Sequence, residues 1–380
     1  MDVNVRRLPG SIEPATLVVT LTAPRRVEVL TSAQAPLRDG QVRIRTRYSG
    51  ISAGTELTLF RGTNPHLTRR WEPDRRLFGE DGATGKELPT GYPNSAWGYS
   101  EVGEVVELGE GVEPAQLALG TTVWGLWGHR GEVVLPAEAV TGRILPDGLD
   151  PLCGTFARVG AVALNAVLAA DIHIGETVVI FGQGVLGLIA TQLATLSGAR
   201  VIAVDCVPAR RDQALEYGAR RCLDPRTDDV GSASRDLTGG RGADVCIEIS
   251  GSYAALHEAV RSAAPGGRVV AAGFYQGEGA GLRLGEEFHH NRIQLVSSQI
   301  SAAPAGLAER WKPERMHRTV IELIADKDLD VLRMVSHVVP AARAAQAYAL
   351  LDADPAAALQ VVLDFDRVGG ENNHAVWSAS

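Results

Sequence analysis

Gly182-Gln183-Gly184-Val185-Leu186-Gly187 is the stretch whose residue types and spacing carry the clearest chemistry. A strand-like run, Val178-Val179-Ile180-Phe181, leads straight into it, and a helical stretch, Val185 to Ser197, follows at once. Glycines so spaced make a phosphate cradle. Gly182 permits a tight turn, Gly184 lets the backbone approach a pyrophosphate, and Gly187 lets the helix pack close to the strand. The helix start at Val185 and Leu186 offers unpaired N–H groups to the phosphates. The next strand-like run, Val201 to Val204, ends in Asp205. Its carboxylate suits a ribose hydroxyl and repels a 2′-phosphate, which favours NAD over NADP. Arg210 and Arg211 lie just beyond; they flank the adenine or simply begin the next helix in solvent. Ser250-Gly251, Gly273-Phe274-Tyr275 and Ser298-Gln299 close three later strand-like runs. In a doubly wound sheet the carboxyl ends of the strands face the ligand, so these residues are expected to line the adenosine and nicotinamide ends.

The elements that must position this site follow from texture. From about Ala15 to Pro146, short β-like runs alternate with Gly and Pro: Gln41 to Thr46, Val102 to Leu108, Thr121 to Trp124, Glu132 to Pro136. That pattern predicts a barrel-like β unit. Trp71 to Ser95 is polar and rich in Gly and Pro, which predicts a loop. From about Leu152 to Gln299, continuous apolar runs alternate with helical stretches, which predicts a parallel sheet covered on both faces. Two amphipathic helices, around Glu314 to Ala325 and Ala341 to Leu351, and a strand, Leu359 to Phe365, follow. The expected division is residues 1–153, a Rossmann domain at 154–301, a return segment at 302–366 and a frayed tail at 367–380.

Bulk properties exclude other classes. A chain of 380 residues suggests about two domains. A net charge of -8 argues against nucleic acid as partner. No uninterrupted run of about 18 apolar residues exists, so no membrane-spanning helix is expected, and the N-terminus does not read as a secretory signal. Cys153, Cys206, Cys222 and Cys246 are scattered without metal spacing, consistent with small buried thiols in a reducing cytoplasm.

Together with the glycine turn, the markers Ser49-Gly50-Ile51-Ser52 and the run Gly98-Tyr99-Ser100-Glu101-Val102-Gly103 to Gly109 resemble the medium-chain dehydrogenase/reductase superfamily. The resemblance covers about Thr16 to Phe365. It implies an α/β fold: a GroES-like β-barrel domain plus a doubly wound Rossmann domain with parallel sheet. It also implies a small-molecule substrate and a homodimer or homotetramer. Zinc-dependent members carry a cysteine where this chain has Ser52 and Gly-His-Glu where it has Gly98-Tyr99-Ser100. Their third ligand falls near Ala157, with Cys153 close by. Ser and Tyr are poor zinc ligands, so no zinc is expected. Ile51-Ser52-Ala53-Gly54-Thr55-Glu56, with Gly98-Tyr99-Ser100 and Phe288-His289-His290-Asn291, looks like a narrower, zinc-free group, similar to bacteriochlorophyllide hydroxyethyl dehydrogenase and to enzymes of secondary metabolism that oxidise cyclitols or sugars.

By that resemblance Tyr99 and Ser52 face the reacting oxygen, with Tyr99 as proton donor or acceptor, or else as an aromatic wall beside Trp97. Glu56 is the base, an orienter of Ser52 or Thr55, or a first-turn helix carboxylate. His129 relays protons or is structural. The expected activity is zinc-free, NAD(H)-dependent interconversion of a secondary alcohol and its ketone. An NADPH-linked enoyl or quinone reductase, an epimerase-type enzyme cycling its bound NAD, and a silent dinucleotide-binding subunit are the alternatives.

Overall fold

A computed structural model describes residues 6–7, 15–80 and 91–366. The chain divides into two compact units, residues 1–158 with 331–380, and residues 159–330. The expected return segment therefore splits, with 302–330 in the second unit and 331–366 in the first.

The first unit is built on a seven-stranded sheet. Its long strand Gln41–Ile51 pairs antiparallel with Glu101–Leu108, Glu132–Pro136 and Gln360–Asp364, and Val335–Pro340 adds in parallel at the edge. Strand Gln360–Asp364 thus seats the C-terminal part of the chain against Tyr48 to Ile51, just before Ser52. Helix Ala53–Arg61 follows immediately, with Ser52 at its N-cap. The core under it joins Leu57 and Phe60 to Trp97, Tyr348, Val361 and Leu363. A separate ribbon, Ala15–Ala23 with Arg26–Ala33, packs on the same core.

The second unit is a six-stranded parallel sheet. Its order is Arg221–Leu223, Arg200–Val204, Thr177–Phe181, Ala243–Glu248, Ala263–Ala271, Gln294–Ser297. All five residues of Thr177–Phe181 are buried, because helices cover both faces of a doubly wound sheet. The order reverses between Thr177–Phe181 and Ala243–Glu248, which is where such sheets bind ligands.

Two expectations need correction. The start of the Trp71–Ser95 stretch is not loop: Arg69–Glu72 and Leu77–Glu80 form a hairpin with Trp71 opposite Phe78, their ring centroids 5.1 Å apart. A cross-strand aromatic pair holds strands that turn-rich neighbours conceal. Residues 81–90 and the tail 367–380 lie outside the described residues. Cys206 is exposed and Cys222 half-buried, unlike the buried Cys153 and Cys246. The segment Pro151–Ala170 is long and apolar enough to cross a membrane, yet most of it is packed inside the protein, as in a core helix.

Candidate active site

The glycine turn is built as a cradle. Gly182 has φ +91, a backbone region that favours glycine, and a Cβ there would meet the Ser250 side chain at 2.8 Å. A Cβ on Gly187 would lie 1.8 Å from the Gly182 carbonyl oxygen. Gly184 caps helix Val185–Leu196, and a Cβ there would meet nothing within 4 Å. Two glycines are therefore demanded by packing, while the third leaves open space beside a helix N-terminus, where a phosphate is favoured. These residues fit a dinucleotide.

Asp205 is buried at the end of its strand. Its carboxylate accepts from the Gln183 N–H and the Val207 N–H, each at 2.7 Å. Arg211 donates to the Asp205 carbonyl at 2.7 Å and pairs with Asp224 at 3.0 Å, so it is tied into the protein. Arg210 is half-buried beside it. Ser250, Gly251 and Tyr275 converge on Glu248, which the sequence reading did not single out. Glu248 accepts from the Ser250 N–H at 2.8 Å and the Gly251 N–H at 3.2 Å, and from the Ser250 and Tyr275 hydroxyls. Burial pushes this carboxyl up, and the bonds from Ser250 and Tyr275 offset part of the shift. Gly273 packs its backbone on Gly251, while Phe274 is exposed. Ser298 is half-buried and Gln299 is exposed, its side chain accepting from Ser301. A charged residue ending the apolar run Val245-Cys246-Ile247 was the available sign of Glu248.

In the first unit, the chemistry-bearing side chains form two layers. The upper layer is half-buried: Ser52, Thr55 and Tyr99. The Ser52 and Tyr99 hydroxyls hydrogen-bond each other, and Thr55 also bonds the Tyr99 phenol. Burial raises the Tyr99 pKa and Glu56 raises it further; the Ser52 and Thr55 bonds and the Arg158 charge lower it. The net direction is upward, so the phenol is protonated at neutral pH.

The lower layer is sealed from water. Glu56 and His129 are 1% and 0% exposed, so neither reaches solvent. Glu56 Oε1 accepts from the Ser52 N–H at 2.9 Å, and its Oε2 lies 2.9 Å from His129 Nε2 and 2.5 Å from the Tyr348 hydroxyl. His129 Nδ1 lies 2.6 Å from Ser49 Oγ, which donates to Glu101 at 3.0 Å. Glu101 also accepts from the Ser100 and Trp127 N–H groups. With Ser49 giving its proton to Glu101, Nδ1 donates to Ser49; Tyr348 donates to Glu56, and Nε2 faces both Glu56 Oε2 and the Tyr348 oxygen, each at 2.9 Å. A charged ring, with both nitrogens donating, serves Ser49 and Glu56 together. Burial pulls the His129 pKa down, but the Glu56 charge and hydrogen bond and the Glu101 charge outweigh it, and the net shift is upward. Trp97 stacks on Tyr348 with centroids 4.5 Å apart and meets the His129 ring edge-on. Gly98, at φ +90, leaves no room for a Cβ, which would sit 2.7 Å from His129. The turn that presents Tyr99 is thus moulded on the buried ring. Tyr348, Glu101 and Ser49 were missed by sequence reasoning; Glu101 heading an apolar strand was the one local sign.

A family profile for zinc-binding dehydrogenases matches residues 185–320, which fall within the dinucleotide unit. D-guloside 3-dehydrogenase of Shigella flexneri is 32% identical over 333 residues, 86% of this chain and 93% of that protein. The chain belongs to the zinc-binding dehydrogenase family of medium-chain dehydrogenases/reductases. As a member of this family it is an oxidoreductase, with the α/β architecture expected from its sequence. Among solved structures, a zinc-binding dehydrogenase of Sinorhizobium meliloti 1021 bound to NADP superposes with TM-score 0.73 at 23% identity, covering 93% of this chain and all of that one. A short chain alcohol dehydrogenase of Escherichia coli CFT073 with NADH gives TM-score 0.72 at 19% identity, with the same coverage. At these identities the superpositions speak for the fold.

The family name implies zinc, but the donors here do not suit it. By the family resemblance, Ser52 and Tyr99 stand where zinc-dependent members have a cysteine and a histidine, and here they bond one another. The third ligand's neighbourhood brings Arg158, a cation within Coulombic reach of Tyr99. Among the described residues, no cluster of three or more His, Cys, Asp or Glu could hold a metal. Two neutral hydroxyls make a poor cation site.

Proposed function

We propose that this family member is a NAD(H)-linked, zinc-independent dehydrogenase that interconverts a secondary alcohol of a sugar or related polyol with its ketone. The observation that carries the reading is the Tyr99 hydroxyl bonded to Ser52 and Thr55, at positions where the family resemblance puts the metal ligands of zinc-dependent members. The substrate class rests on the likeness to D-guloside 3-dehydrogenase. The cofactor rests on Asp205, whose carboxylate would oppose a 2′-phosphate.

A bound nicotinamide supplies the hydride acceptor or donor. The chain's own residues handle the proton. In the reductive direction the Tyr99 phenol donates to the carbonyl oxygen as hydride reaches the carbon, and Ser52 and Thr55 orient it. In the oxidative direction the Tyr99 phenolate takes the hydroxyl proton. Because the Tyr99 pKa is raised, oxidation should quicken as pH rises toward its ionisation, while reduction should slow.

Tyr99→Phe should lower kcat by roughly 10²–10⁴-fold and erase that pH dependence, with NAD affinity unchanged. Steady-state assays on a panel of sugars and polyols, run with NAD and NADP, check this. Tight NAD binding with no turnover of any alcohol would instead favour a silent dinucleotide-binding subunit, and a clear NADP preference would count against the Asp205 argument. Elemental analysis of purified, active protein should find well under one equivalent of zinc, with activity surviving chelation. Stoichiometric zinc lost together with activity would overturn the zinc-independent reading.

A further inference from the structure

Glu248 closes strand Ala243–Glu248, beside the point where the strand order of the parallel sheet reverses. The carboxyl ends of such strands face the ligand, yet Glu248 is 0% exposed. It is turned inward, and it reaches three segments. Oε1 accepts from the Ser250 N–H at 2.8 Å and from the Ser250 hydroxyl. Oε2 accepts from the Gly251 N–H at 3.2 Å and from the Tyr275 hydroxyl. The Glu248 carbonyl accepts from the Ala272 and Gly273 N–H groups at 2.8 and 3.1 Å. Ser250 in turn stands against the glycine turn, its Cβ 2.8 Å from where a Cβ on Gly182 would be. We propose that Glu248 is a positioning residue for the dinucleotide, a clasp that holds the loops after strands Ala243–Glu248 and Ala263–Ala271 against the glycine turn and so preforms the seat of the nicotinamide half.

The two loops are shaped to meet over this carboxylate. A Cβ on Gly273 would lie 2.2 Å from the Gly251 nitrogen and 2.9 Å from Glu248 Oε2, and Gly251 has φ +77. Only glycines let the backbones come so close. A carboxylate suits the junction because it accepts without donating, so one side chain can take N–H and O–H groups from both loops. Bonds to a charged acceptor are also the stronger ones. The sheet divides into two mononucleotide halves at the reversal. Asp205 ends a strand of one half, and the two loops tied by Glu248 end strands of the other. A ligand that meets loops already held in place does not have to order them, which is how preorganisation raises affinity.

The inference rests on the dinucleotide reading, and the test separates the two. Glu248→Gln keeps the shape but replaces one oxygen by an N–H donor, set against donors. Tyr275→Phe removes one hydroxyl and keeps its ring against Tyr253, the centroids 5.1 Å apart; it gives the answer even where the buried Gln variant folds poorly. The full chain is titrated calorimetrically with NAD, or with NADP where the wild type prefers it, and separately with AMP, which fills only the adenosine half. Both variants should weaken dinucleotide binding roughly tenfold or more, the scale of one lost hydrogen bond to a charged group, and leave AMP affinity unchanged. The two effects should not add in the double variant, since both cut the same link. Wild-type dinucleotide affinity in Tyr275→Phe, or equal weakening of AMP and dinucleotide, overturns the clasp while leaving the cofactor reading intact. A wild-type chain that binds neither dinucleotide overturns both.

Discussion

His129→Ala should lower the stability of the folded chain by about 3–5 kcal/mol, the usual consequence of removing one partner from a buried ion pair. The imidazolium sits against Glu56 and, through Ser49, near Glu101, and all three groups are at most 1% exposed, so no solvent replaces the lost charge. The alanine variant would leave the buried Glu56 carboxylate without its cation, held only by the Ser52 N–H and the Tyr348 hydroxyl. Urea denaturation of wild type and variant measures the difference. A loss below about 1 kcal/mol, the scale of an ordinary neutral hydrogen bond, would sink the imidazolium assignment.

The same pair carries a pH signature. The folded His129 pKa is raised above the ordinary 6.5, so the folded state holds its proton where the unfolded state has released it. The stabilisation is therefore full below 6.5 and is lost as pH rises through the folded value. The gap between wild type and His129→Gln should narrow over that window. A gap that widens with rising pH would place a neutral ring there.

Gly187→Ala and Gly184→Ala should abolish dinucleotide binding for different reasons. At Gly187 the new methyl would sit 1.8 Å from a backbone carbonyl oxygen, which cannot swing aside as a side chain can. The helix must be pushed off the strand, at a penalty of about 1–3 kcal/mol or more. At Gly184 the methyl meets no protein atom within 4 Å, so the fold should be untouched while the pyrophosphate is excluded. Calorimetric titration with NAD beside a thermal melt distinguishes the two. Wild-type NAD affinity in Gly184→Ala would show that the phosphates lie elsewhere.

What was legible in the sequence follows the range of the forces. Strand Thr177–Phe181, the glycine turn and helix Val185–Leu196 are contiguous, so local periodicity and glycine geometry define them. Asp205 follows one βα unit later at a spacing set by the helix. The Ser52–Tyr99 contact joins residues 47 apart; no periodicity predicts it, and the resemblance to a known family supplied it. Tyr348 meets Glu56 across 292 residues, and nothing local marks it among the alanines of its helix.

The pairing of Gln360–Asp364 with Tyr48 to Ile51 also sets an order of assembly during synthesis. A ribosome has already released Ser52, Tyr99 and the whole dinucleotide unit before Tyr348 and that last strand emerge. Until then the nascent first unit presents an unpaired strand edge beside Ser52, open to mispairing, and Glu56 lacks the Tyr348 hydroxyl. The Ser52–Tyr99 site proposed to handle the proton is wired last, so a stalled or prematurely terminated chain would carry a finished glycine cradle and lack the Tyr348 hydroxyl beneath Glu56.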